Sequence, residues 1–411
     1  MNSINLGQLL ICTLLGHALA QPPKPAHIIP NDPLFRLQYS FFNPNQNSVR
    51  FPAARAGQPD VEMPATPEVD LAVTKAWTLT TGNRSVIVAL LDDGFFYQHE
   101  DIRDNIWKNP GETGTDATGR PKETNGVDDD GNGFIDDVAG WDFAFDDPDP
   151  DAYVFDGMDR TRIQPFWHSI SALGIIGAKG NNGTGVAGIN WDLSMMLLKI
   201  GAQGIRRGET DTNRKTRAAR AIRYAVDNGA RVINWSGFVE DKSNLEELQG
   251  AFEYAEQHGV LIVVAAGNSG LDLDVPGNAG YPGSFTNSNI IRVAELTFTG
   301  GLDRYSGRDR ISSSNFGART VEIAAIGRNY TTDVRNGLSA YRLSGGTSSS
   351  APVVTGVAAL VLSVRPDLRA EQIKQILLRS ARRLPEIEGK VIANGIIDAY
   401  AAVTTALRWS R

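Results

Sequence analysis

Short apolar runs alternate with amphipathic helical segments through the middle of this 411-residue chain, and no other feature restricts its fold as much. Ser85 to Leu91 is apolar, β-branched at its start, and runs into Asp92-Asp93-Gly94. Met195 to Ile200, Arg231 to Asn234 and Val260 to Ala265 repeat the pattern. These runs are short and mostly lack the polar alternation of a half-exposed strand, so they read as strands buried on both faces. Between them, Thr216 to Asn228 and Asn244 to His258 read as helices, the first with Ala218, Ile222, Ala225 and Val226 on one side. This alternation predicts an α/β fold, a mostly parallel sheet flanked by helices on both faces. Sites in such sheets form beyond the carboxyl ends of the strands, which is where Asp92, Asn234 and Asn268 fall. Further on, Ser349 to Ser363 has the small, apolar composition of a buried helix, and Pro366 ends it. Asp367 is placed to cap an amphipathic helix carrying Ile373, Ile376, Leu377 and Ala381, and a last helix spans Ile397 to Leu407.

The ends of the chain are different in character. Residues 1–20 carry no charged side chain, hold an apolar stretch from Leu9 to Leu15 and finish in Ala18-Leu19-Ala20. That composition reads as a signal peptide, and it implies a secreted, periplasmic or cell-surface protein with no membrane contact after cleavage. The only cysteine, Cys12, lies inside it, so the mature chain forms no disulfide and takes its stability from packing or bound ions. Residues 21–69 are rich in Pro, Asn and Gln and read as an N-terminal arm or short pro-segment, with one globular domain over 70–411.

Net charge is −7, but its distribution is more informative. Between Asp92 and Asp159 stand 20 Asp and Glu against 4 Lys and Arg. A segment this acidic is solvated loop, or loop held together by cations. Within it, Asp128-Asp129-Asp130-Gly131-Asn132-Gly133-Phe134-Ile135-Asp136 sets oxygen ligands at positions one, three, five and nine, with glycine at six, as in an EF-hand loop. Position twelve is Ala139, so the bidentate glutamate of that loop is missing. Asp128, Asp130, Asn132 and Asp136 are the candidate metal ligands. No basic patch interleaved with aromatic residues occurs, which argues against a nucleic-acid partner.

Three local patterns carry the chemistry, in a fixed order. Asp92-Asp93-Gly94 comes first, then His168-Ser169-Ile170-Ser171-Ala172-Leu173-Gly174, then Gly345-Gly346-Thr347-Ser348-Ser349-Ser350-Ala351-Pro352, with Ala265-Ala266-Gly267-Asn268 before the last. A serine hydroxyl is a weak nucleophile until an imidazole takes its proton. The imidazole needs a carboxylate to fix its tautomer and stabilise its charged form. The carbonyl oxygen becomes an anion and needs aimed donors, such as a side-chain amide or a helix N-terminus.

In this order and with these flanks, the chain resembles the subtilisin (subtilase) family of serine peptidases from about Asp70 to about Val403. The resemblance implies a secreted endopeptidase acting on polypeptides, with Asp92 as orienting acid, His168 as base, Ser348 as nucleophile and Asn268 as oxyanion donor. It also implies that Ser236 and Gly237 pair with the substrate backbone, that Gly280 lies at the base of the specificity pocket, and that the acidic loop binds calcium. The chain departs from the family pattern at three places. Ser169-Ile170-Ser171 follows the base where Gly-Thr-His is usual, Ser349 replaces a methionine, and Asp93 replaces Thr or Ser. The first departure keeps open a rival reading, a catalytically inactive subtilisin-fold protein that binds peptides or a partner. An esterase is the weaker rival, because no Gly-x-Ser-x-Gly elbow surrounds Ser348.

Overall fold

A computed structural model describes residues 27–53, 57–152, 167–201, 211–239, 241–278, 280–306 and 311–410. The expected signal peptide lies outside them. A nine-stranded sheet divides the molecule. Its strands are β1 (Gly82–Asp92), β2 (Gly140–Asp142), β3 (Asp192–Lys199), β4 (Val232–Trp235), β5 (Leu261–Ala265), β6 (Ile290–Leu296), β7 (Ile323–Ile326), β8 (Arg382–Arg383) and β9 (Gly395–Ile396). Their order is β8-β9-β7-β6-β5-β4-β1-β3-β2, parallel throughout except between β8 and β9. This is the expected α/β architecture.

Successive side chains of a strand point to opposite faces, and both faces here are covered. Val88 and Leu90 of β1 join a core with helices α1 (Trp167–Gly177), α4 (Thr347–Val364), α5 (Ala370–Ser380) and α6 (Ala399–Leu407). Ala89 and Leu91 face α2 (Asp211–Asp227) and α3 (Glu246–Gln257). Helix α4 is apolar and long enough to cross a membrane, but most of it is buried in this core.

Strand β6 escaped the sequence reading because Arg292 and Glu295 interrupt its apolar run. Both are nearly inaccessible, and Arg292 is held at 2.8 Å by Glu322, from just before β7. Asp367 does not cap α5. It pairs with Arg365 at 2.8 Å, and the helix starts at Ala370.

The described part of the arm packs against the domain. Phe35, Phe41, Val49 and Phe51 are buried in the same core as β1 and α4. Gln38 bonds Ala187 through both ends of its amide, donating to the carbonyl at 2.8 Å and accepting from the N–H at 2.9 Å. Ser48–Phe51 pairs antiparallel with Val61–Pro64, and Phe51 stacks on Phe298 and Tyr330. The Pro and Asn content hid these aromatic anchors, which lie on irregular chain and have no period.

Candidate active site

Asp92 ends β1, His168 is the second residue of α1, and Ser348 is the second residue of α4. Gly94, at φ +117°, turns the chain out of β1, and a Cβ there would lie 2.9 Å from Ala152 Cα, so only glycine fits. Asp92 is buried, whereas the His168 side chain keeps 27% of its exposure. His168 Nδ1 lies 2.8 Å from Asp92 Oδ2 and 3.0 Å from Oδ1. Asp92 Oδ1 also accepts the Asp93 N–H at 2.8 Å. A carboxylate held in this way fixes the proton on Nδ1 and makes Nε2 the proton acceptor.

Burial disfavours the imidazolium, but Asp92, with Asp93 adding to it, outweighs burial, so the pKa of His168 lies above its ordinary value of 6.5. Burial also pushes the Asp93 carboxyl up against the pull of Arg214, which reaches it from α2 at 2.5 Å. Lys199 lies opposite Asp92 in the β1–β3 register, but it is wholly buried and paired with Asp142 at 2.7 Å, so its charge is already balanced.

The turn into α4 is built around two acceptors. Gly346, at φ +91°, donates its N–H to Glu295 Oε1 at 2.8 Å. Thr347 donates to Asn268 Oδ1 from both its backbone N–H (2.9 Å) and its hydroxyl (3.0 Å). With Oδ1 engaged, the amide orientation of Asn268 is set, and its Nδ2 makes no hydrogen bond among the described residues. Ser348 Oγ donates to the Ser236 carbonyl at 3.1 Å, and Ser236 Oγ returns a bond to the Ser348 carbonyl at 3.1 Å. Behind them, Asn234 Nδ2 donates to Ser236 Oγ at 3.1 Å and Thr355 Oγ1 donates to Asn234 Oδ1 at 2.9 Å.

The unusual residues after His168 have partners of their own. Ser169 Oγ donates to the Gly94 carbonyl, tying the start of α1 to the turn after Asp92. Ile170 is wholly buried against Val334. Thr332 Oγ1 donates to the Ile170 carbonyl at 2.6 Å and Thr331 Oγ1 to the Ser171 carbonyl at 3.2 Å. These threonines belong to the hairpin Tyr330–Arg335/Leu338–Leu343, whose second strand leads directly into Gly345. Ser349 is buried and donates to Ser344 Oγ at 2.9 Å, at the foot of the same hairpin. One hairpin therefore braces the His168 helix and the Ser348 turn together. Sequence reasoning missed this hairpin and Glu295, since neither carries a motif.

Beside Asn268 opens a cleft of about 270 Å³, with Gly237 and Gly280 in its lining. A Cβ at Gly280 would meet nothing closer than the Val239 carbonyl, at 4.0 Å.

In the acidic loop the structure gathers a set of carboxylates that overlaps only partly with the expected ligands. Ligand oxygens of Glu112, Asp130 and Asp137 lie within 4.8 Å of one another. Glu112 and Asp137 are wholly inaccessible, and Glu112 Oε2 has no hydrogen-bond partner. Asp128 and Asp136 stand apart from this cluster. Asp128 accepts the N–H groups of Gly131, Asn132 and Gly133, and Asp136 accepts that of Gly126. Asn132 donates to Asp137 at 3.0 Å and to Asp130 at 3.3 Å.

The model of the subtilase family, peptidase family S8, matches residues 83–398, which include every residue of the site just described. The chain belongs to the subtilase family. Subtilisin-like protease 1 of Plasmodium falciparum is 31% identical over 337 residues, covering 79% of this chain and 44% of the relative. The Extracellular basic protease of Dichelobacter nodosus is 28% identical over 406 residues, covering 94% and 57%. Among solved structures, a protease from Pseudoalteromonas arctica superposes with a TM-score of 0.63 at 25% identity, covering 92% of this chain and 99% of that one. This subtilase thus spans about half the length of the curated relatives it matches.

Proposed function

We propose that this subtilase is a secreted serine endopeptidase in which Asp92, His168 and Ser348 form the catalytic triad and Asn268 the oxyanion donor. The observation that carries this reading is the Asp92–His168 contact at the carboxyl edge of the sheet, beside a cleft whose lining includes Asn268. Secretion rests on the character of residues 1–20. A polypeptide adds as a strand along Ser236 and Gly237. His168 Nε2 takes the proton of Ser348 as Oγ attacks the scissile carbonyl. The resulting oxyanion accepts from Asn268 Nδ2 and from the Ser348 N–H at the positive end of α4. His168 then gives its proton to the leaving amine, and an acyl-enzyme remains. Water, deprotonated by His168, attacks the acyl carbon and releases the acid and Ser348.

One observation favours the rival binding-protein reading. The Ser348 hydroxyl is turned to the Ser236 carbonyl at 3.1 Å. Such bonds realign when substrate binds, and a fluorophosphonate probe separates the two readings. The working enzyme labels at Ser348 and cleaves casein. A folded chain that does neither is the peptide-binding protein.

We also propose that calcium binds at Glu112, Asp130 and Asp137. Three hard oxygen donors converge there, and Glu112 Oε2 is buried without a partner, a costly arrangement unless a cation completes it. At a free calcium concentration of 100 Kd the ion adds about 2.7 kcal/mol of stability. EGTA is expected to lower Tm by several degrees in the wild type and much less in Glu112→Gln. Equal thermal stability with and without chelator would remove the site.

A further inference from the structure

The cleft beside Asn268 is charged in one sense only. Its lining holds two charged side chains among the described residues, Lys242 and Arg292, and no carboxylate. Arg292 comes up from β6, 8% exposed. Its guanidinium donates to Glu322 at 2.8 Å and to the carbonyls of Gly283 and Phe285. Glu322 is shared, because Lys374 also pairs with it, at 2.7 Å. Two cations therefore divide one carboxylate beneath the cleft. Lys242, at the mouth, is exposed and makes no ion pair among the described residues, only a weak bond to the Gly277 carbonyl at 3.3 Å. Its neighbour Asp241 is committed to Lys215 at 2.8 Å. The outer wall is apolar, with Phe238 57% and Leu271 38% exposed.

We propose that this cleft takes an acidic side chain, glutamate above all, from the residue on the acyl side of the cleaved bond, with Lys242 and Arg292 selecting it. The inference rests on the endopeptidase reading, which places the cleft next to the scissile carbonyl. Glutamate suits the depth better than aspartate. Its methylenes lie against Phe238 and Leu271 while the carboxylate reaches inward between the two cations. A lysine or arginine in the same place meets like charge, and like-charge juxtaposition is how charged sites suppress wrong partners. The cleft is open to water at Lys242, so salt weakens the selection.

The test uses acetyl-Ala-Ala-Pro-Glu-p-nitroanilide and its Lys counterpart at low and high salt. The expected kcat/KM ratio of Glu to Lys is about tenfold or more at low salt, and it shrinks as salt rises. Lys242→Glu is expected to reverse it. A ratio at or below one, or one that Lys242→Glu leaves unmoved, overturns the proposal. Binding of both peptides to Ser348→Ala reads the same preference without turnover. Selective binding of the Glu peptide by a chain that hydrolyses neither keeps this inference and removes the endopeptidase. Hydrolysis of both peptides at equal rates does the reverse.

Discussion

Ser348→Ala is expected to lower kcat on a peptide substrate by about 10⁶-fold, the loss that removal of the nucleophile causes in subtilisin itself. Stability changes little, because the half-buried hydroxyl gives up one bond to the Ser236 carbonyl, worth about 1 kcal/mol. A variant that folds normally yet hydrolyses nothing localises the chemistry to Oγ. Asp92→Asn grades the argument. It leaves the imidazole in place but takes away the anion that holds its tautomer, and kcat is expected to fall about 10⁴-fold, as in other serine proteases with this triad.

The pH profile gives an independent sign. His168 must be neutral to act as a base, and its pKa lies above 6.5 because Asp92, helped by Asp93, outweighs burial. Activity of the wild type therefore falls with acid from an inflection above pH 6.5. In Asp92→Asn the main charge opposing burial is gone and only Asp93 still favours the imidazolium, so the inflection moves down. The same pair contributes stability that is fully present below the unfolded pKa and is lost as pH rises through the folded one. A wild-type inflection at or below the ordinary imidazole value would contradict the geometry of the pair.

The second large effect concerns the arm. Phe51→Ala is expected to destabilise the protein by about 3–5 kcal/mol, the usual cost of emptying a buried phenylalanine site. Phe51 is wholly buried and packs between the arm and the core, 5.8 Å from Phe298 and 6.3 Å from Tyr330 between ring centroids. Tyr330 begins the hairpin that braces α1 and the Ser348 turn, so activity is expected to fall at temperatures well below global unfolding. A chain beginning at Asp70 is expected not to fold, since it also lacks Phe35 and Phe41, which pack on Trp77. Urea unfolding of Phe51→Ala measures the first effect. A change under about 1 kcal/mol would mean that the arm is peripheral after all.

What could be read from the sequence follows from how local each signal is. Strands β1, β3, β4 and β5 and helices α2, α3, α4 and α6 announce themselves through apolar runs and periods contained within each segment. The residues at Asp92, His168, Ser348 and Asn268 stand in short motifs, and the fold sets them at one edge of the sheet. Strand β6 was illegible because Arg292 finds Glu322 thirty positions away. Glu112 was missed because it precedes the acidic motif and joins it only through folding. Asp128 and Asp136 have the spacing of ligands, but spacing does not show whether a carboxylate points at an ion or at its own loop amides. In these cases the deciding partner is distant in sequence, or the direction of a side chain decides.

The position of α4 has a consequence for the order in which the molecule comes into being. This helix packs beneath β1, β4, β5, β6 and β7, so it docks only on a sheet already assembled from five segments distant in sequence. Closing such contacts is slow, because chain entropy is lost before burial repays it. Asp92 and Ser348 stand at opposite ends of that process. In the proposed mechanism, a newly made chain therefore keeps Ser348 apart from His168 until nearly the whole domain is in place. An endopeptidase built this way is unable, while unfinished, to digest its equally unfinished neighbours.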